Sequence, residues 1–558
     1  MSERTGTRRT LHEAAHKADL EAATAPAQPL RPGGRPKSTR IYHEAAHTLG
    51  YWAPPDSEGE DSDPEEARRR FHELADYHRD VITDAGRAVL VLGALGVVYG
   101  DLGTSPLYTD QVIFSTHRAA AHATVAGIYG VSSLIFWALM VIVSIKYAGF
   151  IMRAHNRGDG GIMALTALVQ RRKVPKAFIL VVLGIFGAGL FFGDGMVTPA
   201  ISVISAVEGL NVVDPSLAHL VVPIALVILV GLFAVQRYGT GAVGWLFGPV
   251  ILVWFFAIGV LGAREVVSHP GVVQGLSPTY GVRFMLDHGV AAFLTLGGVV
   301  LCVTGAEALY ADRGHFGAGP IRLAWFTIVL PAVLLSYLGQ SALILHHPST
   351  ASNPFYLLVP HGLRISMVVL ATAATIIASQ AAITGSFSVA RQAVQLGFLP
   401  RLNIRHTSAL EGQIYVPVIN WMLGFGVIAL VVGFRHSTKL ADIYGVAVTG
   451  TFVLNTVLFL AVARSLWRTP RWRLALLGAL FLTVEVAFFS SNVSKVANGA
   501  WLPLAVGLGF AFAMMTRSCR VLIRSTSARR ARGVVWLLGL RNTAVPGTRL
   551  IGGSALHR

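Results

Sequence analysis

The sequence predicts an all-α polytopic membrane protein with about twelve transmembrane helices. Of its 558 residues, 53% are hydrophobic and only 13% are charged, which is too apolar for a water-soluble globular protein of this size. The apolar residues are gathered in runs long enough to cross a bilayer. Two of these runs are interrupted by glycine next to an acidic residue, which is typical of membrane helices that break around a polar site.

The predicted spans cover most of the chain and are followed and preceded by polar segments. Their approximate limits are 88–113, 126–152, 177–207, 216–236, 243–263, 288–311, 322–346, 364–391, 413–434, 440–463, 473–491 and 499–516. An even number of spans places both termini on the same side of the membrane. Lys and Arg are in excess in the connections after the even-numbered spans, so we expect those connections and both termini to be cytoplasmic.

The formal net charge of +17 does not indicate a nucleic-acid partner. Many of the basic residues lie between apolar runs, where they orient the chain against membrane lipid. No groove-reading or base-stacking motif accompanies them. We therefore expect lipid as the surrounding partner and no nucleic acid.

The two ends of the chain are polar. Residues 1–85 are rich in Ala, Arg, Glu and Pro and are expected to form a disordered cytosolic tail. Two copies of the pattern H-E-x-x-H, at 12–16 and 43–47, match a zinc-protease motif. No rigid apolar helix holds either copy, which favours exposed segments over a metal site. Residues 517–558 are predicted to form a short basic cytosolic tail, leaving 86–516 as the membrane domain.

The first span contains the sequence Gly-Val-Val-Tyr-Gly-Asp-Leu-Gly-Thr-Ser-Pro-Leu-Tyr at 96–108. Asp101 would be costly in a lipid-facing helix, and membrane acids usually face a cavity or an ion path. Glycines and a proline weaken the helix at the same place. We predict a broken helix around a cation site.

The third span places three oxygen-bearing side chains on one helical face. Asp194, Thr198 and Ser202 follow one another at intervals of four residues. They could line an ion path, although hydroxyl groups in membrane helices also bond to the preceding turn of their own backbone.

The sixth span has an acid and a glycine like those of the first. Thr304 and Glu307 share a helical face, and Gly305 between them weakens the helix. Glu307 has no basic partner in its own span, and burial favours the protonated form of a lone carboxyl group, so it is a candidate proton carrier. Interrupted spans at corresponding positions, five spans apart, predict a five-plus-five inverted repeat with a central site. Asp312, Arg313 and His315 are expected to form a solvated cap.

Other candidates are less specific. Tyr444, near the start of the tenth span, could supply a hydroxyl to the site, close a gate or lie in the aromatic belt at the membrane surface. The small and polar residues of 374–381 favour close helix packing. The segment 158–161, Gly-Asp-Gly-Gly, indicates a turn more than a phosphate site, since no Lys-Ser/Thr follows it.

The segment 96–108 resembles the signature of the Kup/HAK/KT potassium uptake permeases. Further segments resemble the motifs of that family in the same order, over about residues 88–516. They are 192–194 through 208–210, 304–317, 337–340, 374–385, 406–408 and 412–417. The resemblance implies a leucine-transporter-like fold of twelve helices with helices 1 and 6 broken. It also implies potassium import coupled to protons, in the inner membrane of a bacterium, without a cofactor.

The resemblance also implies functional positions in this sequence. The potassium ligands would be Asp101, Tyr108, Asp194, Thr198, Ser202, Thr304 and Tyr444, and Glu307 would couple the proton. No metal other than potassium is implied, and the oligomeric state is left open, with a homodimer as one option.

The chain departs from the pattern of the family in places. Asp159 replaces the usual Glu, Arg313 replaces the usual Met, and the chain ends at Arg558, where members continue into a cytosolic domain. We therefore expect the C-terminal tail to be the remnant of a larger domain. An amino acid or polyamine permease of the same fold is the alternative function. An enzyme is not expected, because the spans carry no nucleophile–base pair and no cofactor motif.

Overall fold

The structure is a computed structural model, and its described residues are 87–116, 124–156, 158–171, 177–239, 244–406 and 414–517. All of them belong to one compact unit, His78–Arg558. The predicted N-terminal tail, both H-E-x-x-H copies and the basic tail beyond Arg517 lie outside the described residues.

The described residues up to Ser268 form nine α-helices. They are α1 (Arg87–Val98), α2 (Gly100–Thr104), α3 (Thr109–Thr116), α4 (Val125–Ala138), α5 (Ile162–Arg171), α6 (Ala177–Val207), α7 (Gly209–Val213), α8 (Val221–Val235) and α9 (Gly244–Ser268). A π-helical stretch, Leu139–Phe150, continues α4 without a break. Short 3₁₀ turns lie at Ser105–Leu107, Ile151–Arg153, Pro215–Leu220, Gln236–Tyr238 and Pro270–Leu276.

The second part contains further helices and the two short strands found in the described segments. The helices are α10 (Pro278–Val299), α11 (Ala306–Ala311), α12 (Arg313–Phe316), α13 (Ala318–Ala324), α14 (Leu330–His346), α15 (Pro354–Leu358), α16 (Arg364–Gln395), α17 (Pro417–Phe434), α18 (Ser437–Leu466), α19 (Arg471–Val493) and α20 (Trp501–Arg517). A π-helical stretch, Trp325–Val329, joins α13 to α14, and 3₁₀ turns lie at Val300–Val303, Pro348–Ser352, His361–Leu363 and Val496–Asn498. Strands β1 (Arg405–His406) and β2 (Ile414–Tyr415) pair antiparallel.

The described helices confirm a mostly helical protein with many membrane-spanning segments. Ten are long and apolar enough to cross a membrane, and the bent pair Ala88–Val98 and Gly100–Ser115 would make an eleventh span. The last predicted span, 499–516, corresponds to the shorter helix α20, so a count of twelve stays a prediction. The helix of the sixth span begins at Pro278 and not near 288 as predicted. Its first turns contain polar residues and are followed by a kink at Gly289, where φ is 48°, so they do not form an apolar run in the sequence.

The core of the fold lies around α6. This helix packs against α16, α17 and α18, while α9 packs against α1 and α14. Close packing depends on small residues: a Cβ atom added at Gly100 would lie 2.9 Å from the Cα atom of Ala378 in α16. The run of small residues at 374–381 therefore has the packing role predicted for it.

Two helix interruptions face each other in this core. The chain bends by 65° between α1 and α2, at Tyr99. In the sixth span the helix ends in the turn Val300–Val303, Thr304 is extended, and Gly305 adopts φ 79° before α11 begins. A Cβ atom at position 305 would lie 2.8 Å from Oδ2 of Asp101. Glycine is thus required both by the backbone conformation and by the neighbouring acid.

Candidate ion-binding site

The two interruptions and the middle of α6 line a small cavity of about 30 Å³. It brings together the three acids singled out from the sequence, Asp101, Asp194 and Glu307, each almost completely buried. The described residues that line it are Val98, Asp101, Phe191, Asp194, Gly195, Thr198, Gly305, Glu307, Ala308, Ala311, Asp312, Ala381, Ala382 and Gly385. None of these lining residues is basic, so the described wall holds acids without a positive charge of its own.

Tyr444 connects the first break to α6. Its hydroxyl donates a hydrogen bond to Oδ2 of Asp101 at 3.2 Å and lies 2.7 Å from the Thr198 hydroxyl. Thr198 in turn lies 3.5 Å from Oδ1 of Asp194, one helical turn earlier. The side chain of Tyr444 is fully buried, so it contacts two lining residues from behind the cavity wall and does not lie in an aromatic belt.

Three hydroxyl groups join the first break to the second. Oγ1 of Thr304 lies 3.0 Å from Oγ of Ser105 and 3.3 Å from the Tyr108 hydroxyl. Ser105 and Tyr108 are themselves 3.4 Å apart. Their oxygen atoms are therefore close enough to act on one small ligand, or to fix the two unwound segments to each other.

Asp194 on α6 and Glu307 on α11 line the same cavity, and both are buried. Repulsion between two buried carboxylates is relieved when one of them carries a proton or when a cation lies between them.

Several oxygen atoms of the site have no partner among the described residues. They are Oδ1 of Asp101, Oε2 of Glu307 and Oγ of Ser202. Ser202 lies on the same face of α6 as Asp194 and Thr198, but it is not among the residues that line the cavity. Buried acceptors without donors are costly, and they suit a site that takes up a cation.

The predicted solvated cap at the end of α11 is wrong for Asp312. This residue is buried and lines the cavity with residues of α1, α6 and α16. The next residue, Arg313, donates to the carbonyl oxygen of Gly158 at 3.2 Å. Burial raises the pKa of Asp312 to about 6, opposed in part by His315, whose Nδ1 lies 3.8 Å from Oδ1 of Asp312. The turn at 158–161 is confirmed by an antiparallel bridge between Asn156 and Asp159.

Two features of the site region were not found from the sequence. Ser105 lies in the same motif as Asp101 and Tyr108, and its spacing of three residues before Tyr108 was the available signal. Lys146 and Glu485 form an ion pair with fully buried side chains. A lysine within an apolar run was the signal for it.

The sequence matches the family described as "K+ potassium transporter integral membrane domain" over residues 88–520. The chain belongs to this family. Membership supports the predicted transporter class over the enzyme class, and the resemblance to the Kup/HAK/KT permeases is confirmed.

Curated relatives named "Probable potassium transport system protein Kup" are similar over most of the chain. The protein from Anaeromyxobacter sp. (strain Fw109-5) is 54% identical over 79% of this chain and 66% of its own length. The protein from Azoarcus sp. (strain BH72) is 55% identical over 76% of this chain and 66% of its own length. The chain therefore spans just under two thirds of the length of these relatives.

A more distant similarity exists to a solved structure, the Eremococcus coleocola manganese transporter in complex with an aromatic bis-isothiourea substituted compound. The TM-score is 0.45 and the sequence identity 12%, covering 78% of this chain and 95% of that chain.

Proposed function

We propose that the protein is a secondary potassium importer that takes up protons together with potassium ions, as a symporter. The observation that carries the proposal is the shared cavity of Asp101, Asp194 and Glu307, together with family membership. Three buried acids without a basic lining residue attract a cation, and oxygen atoms replace the hydration shell of an alkali ion. No cofactor has a role in this proposal.

In the proposed site, potassium is held by Asp101, Tyr108, Asp194, Thr198, Ser202, Thr304 and Tyr444. The hydroxyl contacts described above would hold these oxygen atoms close to the two helix interruptions. Glu307 carries the coupling proton, since it is a buried acid that lines the same cavity as Asp101 and Asp194 and has no basic residue among its lining neighbours. Arrival of a potassium ion would favour loss of that proton, because both charges compete for the same carboxyl oxygens.

We further propose the twelve-span, leucine-transporter-like arrangement with broken spans 1 and 6, in the bacterial inner membrane with both termini cytoplasmic. The excess of Lys and Arg in alternate connections supports this orientation. The membrane potential would then drive potassium inward with about 2.3 kcal/mol per charge per 100 mV. Assembly as a homodimer is one arrangement to test, by chemical cross-linking in native membranes.

The test is rubidium or potassium uptake by vesicles that contain the purified protein, with and without an inward proton gradient. We expect uptake that the gradient stimulates and that alkali cations inhibit by competition. Asp101→Asn should abolish uptake, and Glu307→Gln should remove its pH dependence. Asp442→Asn is the matched control. Oδ1 of Asp442 pairs with Nζ of Lys495 at a distance of 3.0 Å, and Asp442 does not line the cavity. Uptake of an amino acid or a polyamine, with no rubidium uptake, would support the alternative function instead.

A further inference from the structure

A buried acid at the end of α6 contacts the first turn of α18. Glu208 directly follows α6, and both of its carboxylate oxygen atoms accept hydrogen bonds from Ser437, the first residue of α18. The backbone N–H of Ser437 donates to Oε1 at 2.9 Å, and its hydroxyl group donates to Oε2. Glu208 is only 7% exposed, so the contact is shielded from water. Neither residue belongs to the proposed ligand set.

Glu208 supplies the cap that α18 does not have from its own residues. The N-cap residue of this helix, His436, makes no capping hydrogen bond through its side chain, although the first N–H groups of a helix have no partner within it. Glu208 takes this role from a position 229 residues earlier in the chain. Its negative charge also lies at the positive end of the helix dipole. Hydrogen bonds to a charged acceptor are stronger than those to a neutral cap, so the contact holds the start of α18 firmly against the end of α6.

The same two helices meet again at the site. Tyr444 follows Ser437 by about two helical turns, so both side chains lie on one face of α18. The Tyr444 hydroxyl lies 2.7 Å from the hydroxyl of Thr198 on α6 and donates to Oδ2 of Asp101 at 3.2 Å. α18 therefore contacts α6 at two levels, at its first residue and at Tyr444. The contact at the first residue restricts how α18 can rotate and slide along α6, and hence where the Tyr444 hydroxyl lies.

We propose that Glu208 is a positioning residue, which caps α18 from the end of α6 and thereby holds Tyr444 where its hydroxyl reaches Thr198 and Asp101. The inference rests on the proposed potassium import, and it adds a residue outside the cavity to those that determine cation affinity. Without the cap, α18 can take other positions along α6. Only the fraction of molecules with the Tyr444 hydroxyl in place then binds the cation at full strength, so the apparent affinity falls by that fraction.

The test measures the half-saturating rubidium concentration for uptake by vesicles that contain the protein. Glu208→Ala removes both hydrogen bonds, and this concentration should rise by about two- to thirtyfold, the equivalent of losing one helix cap. Glu208→Gln keeps an oxygen atom for the N–H of Ser437 and should show a smaller rise. Asn353→Ala is the matched control, because it removes another buried cap, the bond from the N–H of Tyr356 in α15 to Oδ1 of Asn353 at 3.3 Å. It should leave the half-saturating concentration unchanged.

The decisive measurement combines Glu208→Ala with Tyr444→Phe. If Glu208 acts by positioning the Tyr444 hydroxyl, the double variant should have the same half-saturating concentration as Tyr444→Phe alone, since no hydroxyl is left to position. A purely structural role of Glu208 predicts that the two increases multiply, and that outcome overturns the inference. A wild-type concentration in Glu208→Ala overturns it as well.

Ser437→Ala tests the inference if Glu208→Ala does not fold. This variant removes only the hydroxyl donor, so the half-saturating rubidium concentration should rise less than in Glu208→Ala, and the rise should be absent when Tyr444 is already replaced by Phe. No rise, or an equal rise with and without the Tyr444 hydroxyl, overturns the role of Glu208. If the wild-type protein takes up no rubidium, the proposed function fails and this inference with it. If the wild-type protein takes up rubidium and the two increases multiply, only the inference fails.

Discussion

Removing the hydroxyl of Tyr444 gives the sharpest test of the site. In the structure this group donates to Asp101 at 3.2 Å and lies 2.7 Å from Thr198. Tyr444→Phe keeps the buried ring and removes only the oxygen. A hydrogen bond to a charged group is worth about 1.5–3 kcal/mol and one between neutral groups about 0.5–1.5 kcal/mol. A tenfold change in affinity corresponds to about 1.4 kcal/mol. If the bond to Asp101 alone holds the ligand oxygens in place, the rubidium concentration for half-maximal uptake should rise by about ten- to a hundredfold.

The assay is rubidium uptake at a series of concentrations, corrected for the amount of inserted protein. Tyr356→Phe is the matched control, because the Tyr356 hydroxyl is also fully buried but donates to the carbonyl oxygen of Ala206 at 2.7 Å, away from the cavity lining. It should leave the half-saturating concentration unchanged. An equal rise of the half-saturating rubidium concentration in both variants would indicate general destabilisation. An unchanged concentration in Tyr444→Phe would refute a role for this hydroxyl in the site.

Two further predictions concern the second helix interruption and the residue that follows α11. Gly305→Ala should lower the maximal uptake rate at least tenfold without preventing membrane insertion. The reason is that φ is 79° at this position and that the new Cβ atom would lie 2.8 Å from Oδ2 of Asp101. A wild-type uptake rate per inserted molecule would contradict this prediction. Burial raises the pKa of Asp312 from 3.8 to about 6, so the folded protein loses stability as pH rises through that window. Asp312→Asn should therefore stabilise the detergent-solubilised protein at pH 7.5, by up to about 3 kcal/mol. The gain in melting temperature should vanish near pH 4, and an equal gain at both pH values would exclude burial of the charge as its cause.

The positions of the helix interruptions could be predicted from the sequence because their cost is local. An acid and several glycines inside an apolar run conflict with an unbroken membrane helix, and this conflict is visible within a dozen residues. For the same reason the face shared by Asp194, Thr198 and Ser202 could be predicted: it depends only on the period of the helix.

Contacts between distant segments could not be predicted in this way. Ser105 meets Thr304, which lies 199 residues later, and Lys146 meets Glu485, which lies 339 residues later. Periodicity assigns a side chain to a helix face but does not say which helix packs against it. Burial of Asp312 could not be predicted for the same reason, since it lines a cavity with residues of α6 and α16 that are distant in the sequence.

The π-helical stretch Leu139–Phe150 has a consequence for how this helix tolerates insertions and deletions. A π turn closes its hydrogen bond one residue later than an α turn, and each residue advances an α-helix by about 100°. Deleting one residue before Lys146 while the turns keep their present geometry would rotate the ammonium group by about 100° away from Glu485, even though both residues of the pair are still encoded. Such a length change would unpair two buried ions at once. This segment should therefore accept conservative substitutions far more readily than a change of a single residue in length.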